Sequence, residues 1–286
     1  MTRLLLNRKA NAEFRDKLGR TSLGRAVERK SLDTVKLLLD LKVNIESKDN
    51  SGYTALALAA ESGYITISRT LIEGGANVNP ANHASDTPLS LAVNQGHRSV
   101  VELLLDHSVD LELANALDGS TPLMQAVHKG YKKTAKLLLE KGAKVNSKNK
   151  DGLTPLFIAI EQHRSSLVPI LLEHGARTDV KSNDGLNPLY YAIKRKDKDS
   201  VRLLVDGGAD TSKLKRLAPP LQYAKDLIAD EGTRSTSNTD GEGEVADLIS
   251  IVKILQKFEP LKSSGEAKTG KNGKQPRSAR SPRPMN

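Results

Sequence analysis

The sequence predicts an all-α solenoid, built from stacked helix-turn-helix units with projecting fingers. The first observation is a capping residue that recurs at steps of 33, 33, 34, 33 and 33 residues. The second is an alanine five residues after each of these caps. A fixed period of this length is typical of repeat proteins, in which each unit buries its apolar face against the next. The caps are Thr21, Thr54, Thr87, Thr121, Thr154 and Asn187, and the alanines are Ala26, Ala59, Ala92, Ala126, Ala159 and Ala192.

Each unit is predicted to begin with a short helix. Its threonine can accept a backbone N–H as the N-cap, and in four units a proline takes the first helical position, where no N–H is needed. Gly63, Gly96 and Gly130 are placed to end this helix, because glycine readily takes the left-handed conformation. A second helix with a leucine run follows, as in residues 137–139, and a polar turn leads to the next unit.

This pattern resembles the ankyrin repeat over six full units. In that family a histidine usually lies two residues after the proline, and none is present here. The departure bears on the hydrogen bond of that histidine and leaves the predicted fold unchanged. The histidine slot holds Gly24, Ala57, Ser90, Met124, Phe157 and Tyr190. Repeats 1 to 6 span residues 16–48, 49–81, 82–114, 115–148, 149–181 and 182–214.

Both ends of the array depart from the full unit. Residues 1–15 match the second half of a repeat, which suits either a half-repeat N-terminal cap or a start that lies further upstream. Residues 215–258 are predicted to form a degenerate C-terminal capping repeat with an acidic, disordered loop insertion at residues 230–244. Residues 259–286 are rich in Lys, Gly, Ser and Pro, and this composition predicts a disordered basic tail.

Three local irregularities predict departures from a regular stack. One extra residue within residues 113–118 should lengthen the finger of repeat 4. Pro169 falls inside the second helix of repeat 5, which should be irregular or shortened. In repeat 1, Lys30 and Lys42 stand where later repeats have glycine.

The composition limits the class of protein. The net charge is +10, of which residues 261–286 contribute +6, so the basic balance says little about the repeats. The absence of cysteine excludes disulfides and thiolate chemistry. With no apolar run of about 18 residues and no signal peptide, we expect no membrane segment. We expect a monomer inside the cell, in the cytoplasm, the nucleus or both.

The sequence shows no arrangement of residues that predicts catalysis. It has no nucleophile elbow, phosphate-binding loop or dinucleotide fingerprint, and none of its six histidines pairs with another at metal-ligand spacing. We therefore expect no enzyme activity, no cofactor and no metal site.

The resemblance implies that another protein binds to the fingers and to the exposed side of the first helices, together called the concave surface. Tyr53, Leu153 and Leu186 are expected to be exposed there as anchors, although single exposed apolar residues are also common on any surface. The candidate partner-binding residues are Arg20, Tyr53, Asp86, Asn94, Gln95, His128, Lys129, Leu153, Gln162, Leu186, Lys194 and Arg195.

The sequence supports three alternative predictions of function. The first prediction is a non-catalytic scaffold or regulatory adaptor that binds another protein through the concave surface. The second follows from a similarity to small stand-alone ankyrin proteins of filamentous fungi, and it is an accessory role in a natural-product pathway. The third is a nuclear or nucleic-acid-associated adaptor that uses residues 261–286, in which Ser281 is a candidate phosphorylation site. The alternative for this tail is a solvated segment without a partner.

Overall fold

The computed structural model describes residues 11–211, 218–234 and 241–258, and it shows stacked pairs of helices. Among the described residues there is no β-strand. The first helices of repeats 1 to 6 are α1 (Ser22–Glu28), α3 (Ala55–Glu61), α5 (Pro88–Asn94), α7 (Pro122–Lys129), α9 (Pro155–Glu161) and α11 (Pro188–Lys194). The second helices are α2 (Leu32–Asp40), α4 (Ile65–Glu73), α6 (Arg98–Leu105), α8 (Lys132–Glu140), α10 (Val168–Glu173) and α12 (Lys198–Asp206). Helices α13 (Pro220–Arg234) and α14 (Gly241–Phe258) form the last pair.

The predicted caps begin the first helices in most repeats. The side-chain oxygens of Thr54, Thr87, Thr121 and Asn187 each accept the backbone N–H three residues later. Such a bond satisfies one of the free N–H groups of a helix start. Thr154 begins α9 without this bond, and its buried hydroxyl has no partner in the described part of the chain.

The slot that lacks histidine lies in the core. Met124, Phe157 and Tyr190 are fully buried there and fill the volume between neighbouring helix pairs. Ser90 restores a polar contact, because its hydroxyl accepts the N–H of Thr87 at 2.8 Å. Loss of the histidine therefore changes the packing at this slot, and the cap remains.

Small residues let the first helices stack closely. The six predicted alanines are at most 4% exposed, and Ala224 of α13 is buried in the same way. Gly63 is needed for a related contact, because a Cβ there would lie 2.5 Å from the His97 ring. This ring makes a 2.9 Å hydrogen bond with the carbonyl of Glu61 in the preceding repeat. Each repeat is thus held by its neighbour.

The fingers of repeats 1, 2, 3 and 5 share one backbone pattern. An Asp or Asn at the start of the finger accepts the N–H groups two and four residues later, as Asn149 does from Asp151 and Leu153. Such side chains stabilise turns by replacing backbone acceptors. Repeat 6 has Ser182 at this place, and its buried hydroxyl has no partner in the described part of the chain.

The predicted irregularities of repeats 4 and 5 are confirmed. The finger of repeat 4 closes with a bond from the N–H of Asn115 to the carbonyl of Ser120, one residue further than the matching bond from Asn149 to Leu153. In repeat 5, a 3-10 turn over Ser165–Leu167 precedes α10, which has only six residues and begins with Pro169 in its first turn. Proline is tolerated there because the first turn of a helix has no acceptor for its N–H.

The prediction of a disordered loop over residues 230–244 is wrong at both ends of that segment. Residues 230–234 continue α13, and residues 241–244 begin α14. The insertion therefore lengthens two helices, and Leu248 and Ile251 anchor the second of them, α14, in the core. Residues 1–10, 212–217, 235–240 and 259–286 lie outside the described residues, so the N-terminal half-repeat is described only in part and the tail not at all.

Candidate functional site

A groove lies along the concave surface of repeats 3 to 5. Its volume is about 600 Å³, and it is bounded by the fingers of repeats 3, 4 and 5 and by the exposed side of α7 and α9. The buried side chains of Leu153 and Ile158 contribute to its floor. An elongated and partly apolar hollow of this size can hold a peptide segment.

The groove brings together half of the predicted partner-binding residues, and these come from three consecutive repeats. They are Asp86, Asn94, His128, Lys129, Leu153 and Gln162. Gln95 is exposed beside them, while Arg20, Tyr53, Leu186, Lys194 and Arg195 lie outside the groove.

The expected exposure of Leu153 and Leu186 is wrong, because both side chains belong to the core and are only 8% and 7% exposed. The finger backbone explains this result. The N–H of Asn149 donates to the carbonyl of Leu153, and the Asn149 side chain accepts the N–H of Leu153. With its backbone held in this turn, Leu153 is buried among apolar neighbours, where a leucine is more stable than in water.

The predicted residues outside the groove mostly contact other side chains of the protein. Tyr53 is half-buried, and its hydroxyl donates to Glu61 at 3.3 Å. Burial and the neighbouring Glu61 carboxylate raise the pKa of Tyr53. Arg195 pairs with Glu161 and lies over the ring of Tyr191, with 5.2 Å between its guanidinium carbon and the ring centroid.

Leu117 is an exposed groove residue that our sequence analysis did not single out. It lies in the longer finger of repeat 4, lines the groove and is 87% exposed. The Lys150 ammonium donates to the carbonyls of Ala116 and Leu117, which fixes the finger in place. The extra residue within 113–118 was a signal for this position, because an inserted residue must project from an otherwise regular turn.

Three of the four groove carboxylates have no cationic partner among the described residues, whereas the fourth, Glu161, is paired with Arg195. Within the described residues, no Lys, Arg or His nitrogen comes within 4.0 Å of Asp86, Asp118 or Asp151. Burial raises the pKa of Asp86, since it disfavours the charged form. Burial also acts on Asp118, but hydrogen bonds from Ser120 and Asn115 outweigh it and lower the pKa of that carboxyl.

The groove also contains an unused hydrogen-bond acceptor. Gln125 projects from α7 into the groove wall, and its buried Oε1 has no donor in the described part of the chain. A buried acceptor without a donor costs about 1–3 kcal/mol. A ligand with N–H donors would remove this cost on binding.

The described residues hold no arrangement for metal chemistry. Within these ranges, no group of three or more His, Asp or Glu side chains could hold a metal ion. In the same part of the chain, no helix is long and apolar enough to cross a bilayer.

Comparisons with known proteins agree with this architecture. The family model "Ankyrin repeats (3 copies)" matches residues 1–82, 79–149 and 141–214. None of the curated proteins compared with the chain shows significant similarity to it.

Two solved structures resemble the chain over most of their own length. The ankyrin repeat domain of Bcl-3, described as a unique member of the IκB protein family, is 28% identical with a TM-score of 0.70. The match covers 83% of this chain and 99% of that one. An ankyrin repeat domain from Acinetobacter baumannii AYE is 31% identical with a TM-score of 0.63, and the match covers 66% of this chain and 98% of that one. Together with the caps, fingers and stacked helix pairs, these matches show that the chain belongs to the ankyrin-repeat family.

Proposed function

We propose that this protein is a non-catalytic scaffold or regulatory adaptor that binds another protein in the groove over repeats 3 to 5. Ankyrin repeats are in general protein-interaction modules, so the family supports this class of function. The observation that carries the choice of surface is the exposed Leu117, which lines the groove from the longer finger of repeat 4 and whose carbonyl accepts a hydrogen bond from Lys150.

The chemistry of the groove suits a protein segment better than a small substrate. Apolar floor residues can bury a partner's aliphatic or aromatic side chain, while Asn94, Gln125 and Gln162 can bond its backbone or polar groups. This combination of an apolar centre and a polar rim is typical of protein interfaces. A partner with basic side chains would also contact the unpaired carboxylates of the rim.

Affinity capture with mass spectrometry tests the proposal. The full chain is compared with Leu117→Asp and with a control, Arg69→Asp, which changes an exposed residue on α4 outside the groove. We expect partners that bind the full chain and the control and that are lost with Leu117→Asp. Partners that remain bound to Leu117→Asp at unchanged yield would contradict the proposed surface.

A further inference from the structure

We propose that the chain's own basic segment, residues 261–286, docks in the groove over repeats 3 to 5. The segment carries seven Lys or Arg residues and one Glu. It therefore complements a groove whose three rim carboxylates lack cationic partners among the described residues. The inference uses the groove of the proposed function but does not depend on any external partner.

The side chains of the groove match those of the segment. Lysine and arginine have only N–H donors at their polar ends, and the groove offers the acceptors of Asp86, Asp151 and the unpartnered Gln125 oxygen. Lys129 is the cation among the groove residues, and Glu161 is already paired with Arg195. The surface thus keeps a net negative charge that a basic segment can neutralise.

The chain is long enough to bring this segment to the groove. Helix α14 ends at Phe258, and the most basic part of the segment begins 19 residues later, at Arg277. A flexible chain of this length has a root-mean-square end-to-end distance of about 25 Å. Neighbouring helices pack roughly 8–10 Å apart, so the path from the last helix pair to repeats 4 and 5 is of similar length. A matched linker gives an effective concentration near the millimolar range, so even weak contacts would keep the segment docked.

The same electrostatics would make the docking adjustable. Ser281 lies between Arg280 and Pro282, inside the most basic part of the segment. A phosphate on this serine adds about two negative charges, which would be repelled by the rim carboxylates. Phosphorylation of Ser281 should therefore release the segment and open the groove to a partner.

Paramagnetic relaxation in the full chain tests this inference. The sequence has no cysteine, so Ser278→Cys gives a single attachment point for a nitroxide label. We expect the amide signals of Leu117, Gln125 and Gln162 to lose intensity, and to recover it as sodium chloride rises from about 50 to 500 mM because salt screens the charges. Uniform broadening over the surface would overturn the inference, as would broadening that arises only between two different chains.

Paired variants identify the charged residues that hold the basic segment in the groove. Asp86→Asn combined with Asp151→Asn should remove at least about half of the relaxation effect, as should Ser281→Glu. The matched control, Glu73→Gln combined with Asp206→Asn, removes two exposed charges from the ends of α4 and α12 and should leave the effect unchanged. Equal relaxation in the groove variant and in this control would overturn the inference. The relaxation experiment contains no partner protein, so its outcome is independent of the outcome of the affinity capture.

Discussion

The concave surface of repeat 1 and the groove over repeats 3 to 5 are built on the same scaffold but differ in how their charges are paired. In repeat 1, Arg20 and Arg25 pair with Glu28, Asp16 and Asp49. The backbone N–H of Arg20 lowers the pKa of Asp16, while burial raises the pKa of Asp86 in the groove. The difference indicates that charge pairing within repeat 1 neutralises its own surface, whereas the groove keeps free carboxylates for a ligand.

The largest expected effect comes from removing the apolar anchor of the groove. Leu117→Asp should weaken partner binding at least about 30-fold, or roughly 2 kcal/mol, because exposed apolar anchors carry much of the binding energy of an interface. Leu18→Asp, on the 52% exposed leucine in the finger of repeat 1, should leave binding unchanged. Titration calorimetry with a captured partner measures both, and equal losses would remove the distinction between the two regions.

The next effect concerns the fingers that shape the groove. Asn149→Ser should lower the free energy of unfolding by about 1–3 kcal/mol, because it removes the acceptor of two finger N–H groups. Ser182→Asn should raise it by about 0.5–1.5 kcal/mol, by supplying the acceptor that repeat 6 lacks. Urea denaturation measures both, and shifts of the same sign would contradict this account of the finger.

Backbone strain in repeat 1 gives a smaller effect. Lys42 has a φ of +56°, at the place where Gly142 of repeat 4 has +94°. Lys42→Gly should stabilise the protein by about 1 kcal/mol and Gly142→Ala should destabilise it by a similar amount, since left-handed backbone favours glycine. Within the described part of the chain, no heavy atom beyond the glycine and its two chain neighbours lies within 4 Å of a Cβ added at Gly142, so the cost there is conformational. Thermal unfolding measures both variants, and an unchanged melting temperature in both would contradict this account of backbone strain.

The smallest effect is the pH dependence of the groove carboxylates. Folding raises the pKa of the Asp86 carboxyl above the ordinary aspartate value of 3.8. Ionisation of this carboxyl therefore lowers the stability of the folded state as the pH rises above 3.8. Asp86→Asn should therefore be more stable than the parent at pH 7 by less than about 1 kcal/mol, and equal to it at low pH.

Asp118→Asn is expected to change the stability at pH 7 in the opposite direction. The pKa of Asp118 is lowered on folding, so its charge adds stability that is present above pH 3.8 and lost as the pH falls through the folded value. This variant should be less stable than the parent at pH 7, with the deficit closing in acid. Denaturation curves from pH 3 to 7 measure both variants, and a lower stability of Asp86→Asn than of the parent at pH 7 would contradict the absence of a cationic partner for Asp86.

Much of the fold could be predicted because the repeat period is read directly from the sequence. The caps, the alanines, the longer finger of repeat 4 and the break at Pro169 all follow from residue type and spacing. The helices over residues 230–234 and 241–244 could not, because they depend on packing of α14 against the stack.

The groove itself was only half predictable. Position in the repeat indicated Asp86, His128 and Gln162, but not that the turn of its own finger would bury Leu153. Whether a carboxylate is paired depends on side chains from neighbouring repeats, as in the bridge from Arg20 to Asp49. Sequence spacing alone does not contain that information.

Site-specific photo-crosslinking in cells tests the central claim most directly. A photoreactive amino acid replaces Leu117 in the groove or, as a control, Arg69 on α4. We expect a crosslinked protein of discrete mass from position 117 and none from position 69. Crosslinks of equal yield from both positions, or a discrete product from position 69 alone, would contradict a partner-binding groove over repeats 3 to 5.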